Sequence, residues 1–121
     1  MKRILIADDE PDMQDLLKQR LEFNHYEVVG ASNGEEVLKA CEESAIDLVL
    51  LDIAMPRLDG YETCKRLKSN EKTKDIPVFF LTGKDLAPDG IIERCQELDA
   101  CGYFPKPYDV KELLRKIAEV I

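Results

Sequence analysis

The chain has 121 residues, with 17 Lys or Arg, 25 Asp or Glu and a formal net charge of −8. This length predicts a single domain over residues 1–121 with a sizeable buried core. Because the basic residues are scattered among acidic ones, direct contact with nucleic acid is not expected. The N-terminal apolar run is too short for a signal-peptide core or a membrane span, so we expect a cytoplasmic protein without membrane contact.

Zinc and disulfides are also not expected. The cysteines show no Cys-x-x-Cys spacing, and His25 is the only histidine, just before a predicted strand. We expect His25 to be solvated and the cysteines to fill small core positions in a reduced compartment. They are Cys41, Cys64, Cys95 and Cys101.

Short aliphatic runs alternate with segments of helical periodicity along the chain. Strands are predicted near 3–7, 26–31, 47–51, 77–81 and 101–104, and helices over 11–24, 33–43 and about 60–69, then after Pro88 and after Asp109. The continuous apolar run at 77–81 is typical of a central strand that is covered by helices on both faces. Five β/α units with short connections predict an α/β fold with a doubly wound parallel sheet.

Apolar residues at helical spacing predict which helix faces pack on this sheet. They are Met13, Leu16, Leu17 and Leu21 in the first helix, Val37, Leu38 and Cys41 in the second, Ile91, Ile92, Cys95 and Leu98 in the fourth, and Val110, Leu113, Leu114, Ile117 and Ile121 in the fifth. Pro11 suits the first turn of the first helix. Ser32-x-x-Glu35 and Asp109-x-x-Glu112 are predicted to cap the second and fifth helices.

Three carboxylates stand at the ends of two predicted strands. Asp8 and Asp9 follow the first strand, and Asp52 follows the apolar run 48–51. In a parallel sheet these side chains meet at the carboxyl edge, where open α/β sheets bind ligands. Like charges at one place repel unless a cation joins them, and carboxylate oxygens suit Mg²⁺ or Ca²⁺. The pattern therefore predicts a metal site.

Two more polar side chains follow predicted strands and complete a chemically consistent set. Thr82 follows the fourth strand and Lys106 the fifth. With the metal-binding carboxylates they suit phosphoryl transfer onto a carboxylate, with Asp52 as the nucleophile. Lys106 would bind one phosphoryl oxygen as a point charge, and Thr82 would hydrogen-bond another.

Four motifs in order carry a resemblance to a known family. They are Asp8-Asp9-Glu10, the stretch from Asp52 through Pro56 to Gly60, Thr82-Gly83, and Tyr103-Phe104-Pro105-Lys106-Pro107. The chain resembles a response-regulator receiver domain of two-component signalling, of the chemotaxis-Y-like kind, over essentially its whole length. The resemblance implies a flavodoxin-like three-layer sandwich with five parallel strands in the order 2-1-3-4-5 and five helices.

The resemblance also implies the roles of the site residues. Asp52 resembles the phosphoacceptor; Asp9, Asp52 and the backbone carbonyl of Ala54 resemble direct Mg²⁺ ligands, and Asp8 a ligand through water. Lys106 resembles the lysine that contacts the phosphoryl group, and its bond to Pro107 is expected to be cis.

The function implied is that of a signal carrier and not a turnover enzyme. A histidine kinase or histidine phosphotransfer protein would donate the phosphoryl group, and Thr82 and Tyr103 would switch the binding of a downstream protein or effector domain. That partner would use the face of the fourth helix, fifth strand and fifth helix, and a phosphorylation-dependent dimer is compatible with it.

Several features depart from the family pattern or leave alternatives open. The loop over 84–89 is longer than in common receivers, and Asp99 stands where the fourth helix usually ends in glycine, at a left-handed position. Two other functions would require different residues. A haloacid-dehalogenase-type phosphatase would need an acidic residue at position 54, where this chain has Ala54. A flavodoxin-like cofactor binder would need a Ser-, Thr- and Gly-rich loop after the first strand, where this chain is acidic. A phosphate-independent receiver-like interaction module also remains open.

Overall fold

Our computed structural model describes residues 1–55, 58–83 and 88–121, without the side chains of residues 88 and 89. Within these residues five strands alternate with five helices. They are β1 (Arg3–Ala7), α1 (Pro11–Phe23), β2 (Glu27–Ala31), α2 (Gly34–Glu43), β3 (Leu48–Asp52), α3 (Gly60–Lys68), β4 (Val78–Thr82), α4 (Pro88–Glu97), β5 (Gly102–Pro105) and α5 (Val110–Val120). The predicted alternation of elements is confirmed.

The strands form one parallel sheet in the order β2-β1-β3-β4-β5. This confirms the doubly wound architecture and the strand order that the family resemblance implied. β4 lies between β3 and β5, and all five of its residues are buried, as its continuous apolar run predicted. A parallel sheet is buried in this way because the connecting helices cover both of its faces.

The core consists of two layers, one on each face of the sheet. Alternate strand residues point to opposite faces, so that Leu5 joins one layer while Ile4 and Ile6 join the other. The first layer includes residues of α2, α3 and α4, and the second includes Leu17 and Leu21 of α1 with residues of α5. The protein is therefore a three-layer α/β/α sandwich.

Three predicted core positions are wrong. Leu16 and Ile92 are each 45% exposed, because each is adjacent to a residue that faces the sheet, and neighbouring helix positions point about 100° apart. Cys101 is exposed in the connection that precedes β5, whereas the other three cysteines are buried as predicted.

The helix caps agree with the sequence in one case and differ in another. Asp109 caps α5 by accepting a hydrogen bond from the backbone N–H of Glu112, as predicted. The α2 cap lies one residue later than expected: the Asn33 side chain accepts from the N–H of Glu36, and Glu36 accepts from the N–H of Ser32. Both Ser and Asn can serve as N-caps, and here the extended backbone of Asn33 takes that position.

Two non-glycine residues have left-handed backbone conformations. Asp99 has a φ of 56° after α4, at the position where the sequence predicted it, and the exposed His25 has a φ of 70° before β2. The predicted long loop, residues 84–89, falls largely outside the described part of the chain. Among the described residues, no helix has the length and apolar character needed to cross a membrane.

Candidate functional site

The carboxyl ends of four strands bring the predicted chemical groups to one edge of the sheet. Asp8 directly follows β1, Asp52 ends β3, Thr82 ends β4 and Lys106 follows β5. Asp8, Asp52 and Thr82 are only 2%, 3% and 1% exposed. Buried polar side chains at the ligand-binding edge of an open α/β sheet mark a candidate site.

The Lys106 ammonium bridges the carboxylates of this edge. Its Nζ lies 3.2 Å from Asp52 Oδ2, 3.3 Å from Asp8 Oδ2 and 3.5 Å from Glu10 Oε1. Burial acts to lower the pKa of Lys106, but the charges of Asp52 and Asp8 outweigh it and hold that pKa above its ordinary value. Lys106 therefore stays positively charged at neutral pH. Its peptide bond to Pro107 is cis, as expected.

Asp52 is a buried carboxyl group with an unusually high proton affinity. Its Oδ1 accepts a hydrogen bond of 3.1 Å from the backbone N–H of Ala54, and its Oδ2 accepts one of 3.2 Å from Lys106. Burial raises the pKa of Asp52 to about 6, and the charge of Asp8 adds to the rise, while Lys106 and the Ala54 N–H offset part of it. At neutral pH Asp52 is still mostly a carboxylate, the form that acts as a nucleophile.

Asp8 is held by three donors from two segments. Its Oδ1 accepts from the backbone N–H of Glu10 at 2.9 Å, and its Oδ2 is shared by Lys106 and by the Tyr108 hydroxyl at 3.4 Å. Burial, followed by the charges of Asp8 and Asp52, raises the pKa of Tyr108. Sequence reasoning missed Tyr108; the available signal was a hydroxyl-bearing ring two positions after Lys106.

A cluster of carboxylate oxygens stands beside the buried pair. One oxygen from each of Asp8, Asp9 and Glu10 lies within 4.8 Å of the others, and Asp9 and Glu10 are exposed. These hard oxygen donors, open to solvent on one side, fit Mg²⁺, which keeps several waters and takes one or two protein carboxylates. The predicted metal ligands were Asp8, Asp9, Asp52 and the backbone carbonyl of Ala54. This cluster contains Asp8 and Asp9 and adds Glu10.

This geometry agrees with a comparison against known families. The family model described as the response regulator receiver domain matches residues 4–118. The chain belongs to the response regulator receiver domain family.

Individual relatives support the same family. The chain is 38% identical over 120 residues to the alkaline phosphatase synthesis transcriptional regulatory protein PhoP of Bacillus subtilis, covering 99% of this chain and 48% of PhoP. Among solved structures, a putative response regulator from Chloroflexus aurantiacus has a TM-score of 0.91 at 30% identity, over 98% of this chain and 96% of that one. This receiver domain spans about half the length of the curated relatives it matches.

One solved structure is similar in fold and contains a metal. The receiver domain of a sensor histidine kinase from Pseudomonas aeruginosa has a TM-score of 0.87 at 27% identity, over 98% of this chain and 96% of that one. It is described with a magnesium ion coordinated in its active site cleft.

Two local contacts fix the loops that carry the carboxylates of this receiver domain. The Gln14 side-chain amide donates to the backbone carbonyls of Ile6, Asp8 and Ala31 and so ties the loop after β1 to the end of β2. A Cβ at Gly60 would lie 2.8 Å from the Ile53 Cα and closer still to the backbone carbonyl oxygen of Asp52. Glycine is required at position 60 because the start of α3 packs directly on the backbone that leaves β3.

Thr82 and Tyr103 lie on neighbouring strands near the site. Thr82 pairs in register with Pro105, and Tyr103 pairs with Phe80. Tyr103 is half-buried against the core layer that contains α4. It also lines a groove of about 390 Å³ between β5 and α5. Thr82 follows Phe80 by two residues on β4, so Thr82 and Tyr103 point to the same face of the sheet, with the buried Thr82 nearer the carboxyl edge.

Proposed function

We propose that this receiver domain accepts a phosphoryl group on Asp52. The observation that carries the proposal is the placement of the Asp52 carboxylate, almost fully buried, 3.2 Å from a lysine ammonium at the carboxyl edge of the sheet. Phosphoryl transfer to Asp needs a carboxylate nucleophile, and a nearby cation offsets the charge of the transferring group. The proposal takes residues 1–121 as one receiver domain.

Mg²⁺ is the cofactor that the site fits. Asp9, Asp52 and the backbone carbonyl of Ala54 would hold it directly, with Asp8 acting through water, and the nearby Glu10 adds negative charge. When bound, the ion would offset the negative charge of the phosphoryl oxygens. The magnesium described in the Pseudomonas aeruginosa receiver domain supports this choice.

The donor is a phosphohistidine of a histidine kinase or a histidine phosphotransfer protein. A carboxylate oxygen of Asp52 attacks phosphorus, the P–O bond forms, and the P–N bond breaks with its electron pair passing to the imidazole nitrogen. Lys106 is positioned to meet one oxygen of the transferred group, and Thr82 another. Thr82 ends β4, which is next to β3, and Lys106 follows β5, one strand further, so the sheet orients both groups before the donor arrives.

The domain acts as a signal carrier and not as a turnover enzyme. A phosphatase of the haloacid-dehalogenase type would use an acid two residues after its nucleophile, and this chain has Ala54 there. Alanine cannot donate a proton or orient an attacking water, so the acyl phosphate should persist long enough to be read by a partner.

Phosphorylation would be read through Thr82 and Tyr103. New phosphoryl oxygens attract the Thr82 hydroxyl, and its movement frees space into which the half-buried Tyr103 turns. This remodels the face of α4, β5 and α5, which a downstream protein, an effector domain or a second copy would bind. Coupling between two such sites is typically about 1–3 kcal/mol, enough to change partner affinity several-fold.

The first test measures intact mass after incubation with Mg²⁺ and acetyl phosphate. We expect one added phosphoryl group in the wild type, and none in Asp52→Asn or in a sample with EDTA. A phosphoryl group that appears equally in Asp52→Asn would contradict the assignment of the acceptor.

The switch is tested separately with Thr82→Ala. This variant should still gain the phosphoryl group, but the increase in partner affinity that accompanies phosphorylation should be largely lost. An unchanged increase in Thr82→Ala would show that Thr82 does not transmit the signal.

A further inference from the structure

We propose that the Tyr108 hydroxyl is a positioning group that orients Asp8 and thereby sets the affinity of the site for Mg²⁺. This inference rests on the proposed function, since it assumes that the acidic edge binds Mg²⁺. It concerns a residue that the phosphoryl-transfer scheme itself does not use.

The hydrogen bonds of Asp8 define what Tyr108 does. An ionised carboxylate offers about four lone-pair sites. Donors already take three of them: the Glu10 N–H at Oδ1, and Lys106 and the Tyr108 hydroxyl at Oδ2. A hydrated cation can use the lone-pair site of Asp8 that remains. The orientation of the Asp8 carboxylate therefore decides how well the ion is held.

The two donors at Oδ2 are not equivalent. Lys106 divides its ammonium among three carboxylates and carries it on a flexible stem. The Tyr108 ring packs against the core layer that contains α1 and α5, so its hydroxyl has little freedom to move. When Lys106 turns toward a phosphoryl oxygen on Asp52, Tyr108 is the side-chain donor that, among the described residues, still holds Asp8.

A neutral donor is suited to this role. The hydroxyl fixes the carboxylate without adding positive charge beside the cation, whereas an ammonium at the same place would repel the ion. Phenylalanine would fill the same packing space, so core packing alone does not account for the hydroxyl. Carboxylates that hold metals are themselves commonly oriented by hydrogen bonds from neighbouring groups.

The expected size of the effect follows from the contact. Loss of such supporting groups typically costs about 10–100-fold in metal affinity. The Tyr108–Asp8 distance of 3.4 Å is longer than the usual value for O–H···O bonds, which places the effect at the low end. We therefore expect Tyr108→Phe to weaken Mg²⁺ binding about tenfold.

The test is a calorimetric titration of the metal-free protein with MgCl₂. The variants are Tyr108→Phe and the matched control Tyr26→Phe, which removes a hydroxyl from a tyrosine on the same core layer but at the amino edge of the sheet, just before β2. Wild type and Tyr26→Phe should bind Mg²⁺ alike, and Tyr108→Phe about tenfold more weakly. Asp8→Asn and the double variant Asp8→Asn/Tyr108→Phe complete a double-mutant cycle. The loss of Mg²⁺ affinity caused by Tyr108→Phe should be smaller in the Asp8→Asn background, where the carboxylate is gone.

A spectroscopic readout separates positioning from general loosening of the structure. The chain has four tyrosines and no tryptophan, so tyrosine absorbance is measured without interference from indole. Mg²⁺ should perturb the tyrosine near-ultraviolet spectrum in wild type and in Tyr26→Phe, and most of that change should be absent from Tyr108→Phe.

The outcomes distinguish this inference from the proposed function. If wild type binds no Mg²⁺, the proposed metal site is wrong and this inference fails with it. If wild type binds Mg²⁺ and Tyr108→Phe binds it equally well, only the inference is overturned. A loss of affinity that is just as large in the Asp8→Asn background would also overturn it, because Tyr108 would then not act through Asp8.

Discussion

Replacing Asp52 by Asn should stabilise the metal-free protein at pH 8. Folding places this carboxylate where it is only 3% exposed, and burial raises its pKa from 3.8 to about 6. At 1.36 kcal/mol for each pKa unit, that rise corresponds to about 3 kcal/mol of destabilisation once the group is ionised. This pKa already includes the opposing attraction of Lys106, so removing the charge should remove the whole cost. Because the amide does not reproduce every hydrogen bond of the carboxyl group, we expect a net gain of about 1–3 kcal/mol in the free energy of unfolding.

The stability advantage of Asp52→Asn should depend on pH. Between pH 3.8 and about 6 the folded protein holds the Asp52 proton more tightly than the unfolded chain does. The contribution of Asp52 to stability therefore falls as pH rises through this window, is fully unfavourable above it and disappears below it. The advantage of Asp52→Asn should accordingly drop by about half at pH 5 relative to pH 8.

The assay is urea unfolding with EDTA at both pH values. Asp75→Asn, a change at an exposed aspartate between α3 and β4, serves as the control and should alter stability little at either pH. Added Mg²⁺ should stabilise wild type by mass action and Asp52→Asn much less. The reasoning is refuted if Asp52→Asn is no more stable than wild type at pH 8, or if its advantage does not change with pH.

Three further substitutions test other parts of the structure. Gly60→Ala should lower the free energy of unfolding by about 1–3 kcal/mol and slow phosphorylation, because its Cβ would press on the backbone at Asp52 and Ile53. Asp99→Gly should raise the free energy of unfolding by about 0.5–1 kcal/mol, since φ at this residue is 56° and glycine adopts that conformation without a Cβ clash. Lys106→Met should lower the free energy of unfolding by about 3 kcal/mol at pH 8 without metal, because two buried carboxylates lose the cation that faces them. The same variant should be labelled less by acetyl phosphate.

Urea unfolding and the mass assay check all three. Gly60→Ala would contradict the close packing if it unfolded at the wild-type midpoint, and Asp99→Gly would contradict the strain argument if it were less stable than wild type. For Lys106→Met, the loss of stability should be smaller at pH 5, where Asp52 is more often protonated; an equal loss at both pH values would argue against a charge effect.

Much of the fold could be predicted from local pattern. Continuous aliphatic runs separated by helical periodicity predicted the five strands and the first three helices to within a residue or two, and the starts of the last two helices. This was possible because strands that are buried on both faces of a parallel sheet consist of continuous apolar residues. The errors were also local: the N-cap of α2 was predicted at Ser32, one residue before Asn33, and Leu16 and Ile92 lie beside positions that face the sheet. Periodicity cannot decide which of two adjacent apolar residues packs inward.

The sequence predicted that four residues would lie together at one edge of the sheet, but not which contacts they would make. That Asp8, Asp52, Thr82 and Lys106 would share one edge follows from parallel strands, and the structure places all four there. No sequence motif predicted the contact of Tyr108, because its partner Asp8 lies near the other end of the chain.

The sequence by itself determined the alternation of strands and helices, the acidic residues that follow β1 and the one that ends β3, since these depend on the order of neighbouring side chains. Only the tertiary structure decided that one ammonium serves three carboxylates, that a tyrosine hydroxyl holds Asp8, and that the pKa of Asp52 rises to about 6. The reason is that these properties depend on distance and burial between residues as far apart as 54 positions for Lys106 and Asp52 and 100 for Tyr108 and Asp8. Such distances are set by the packing of the whole sheet and its helices, and no local stretch of sequence contains them.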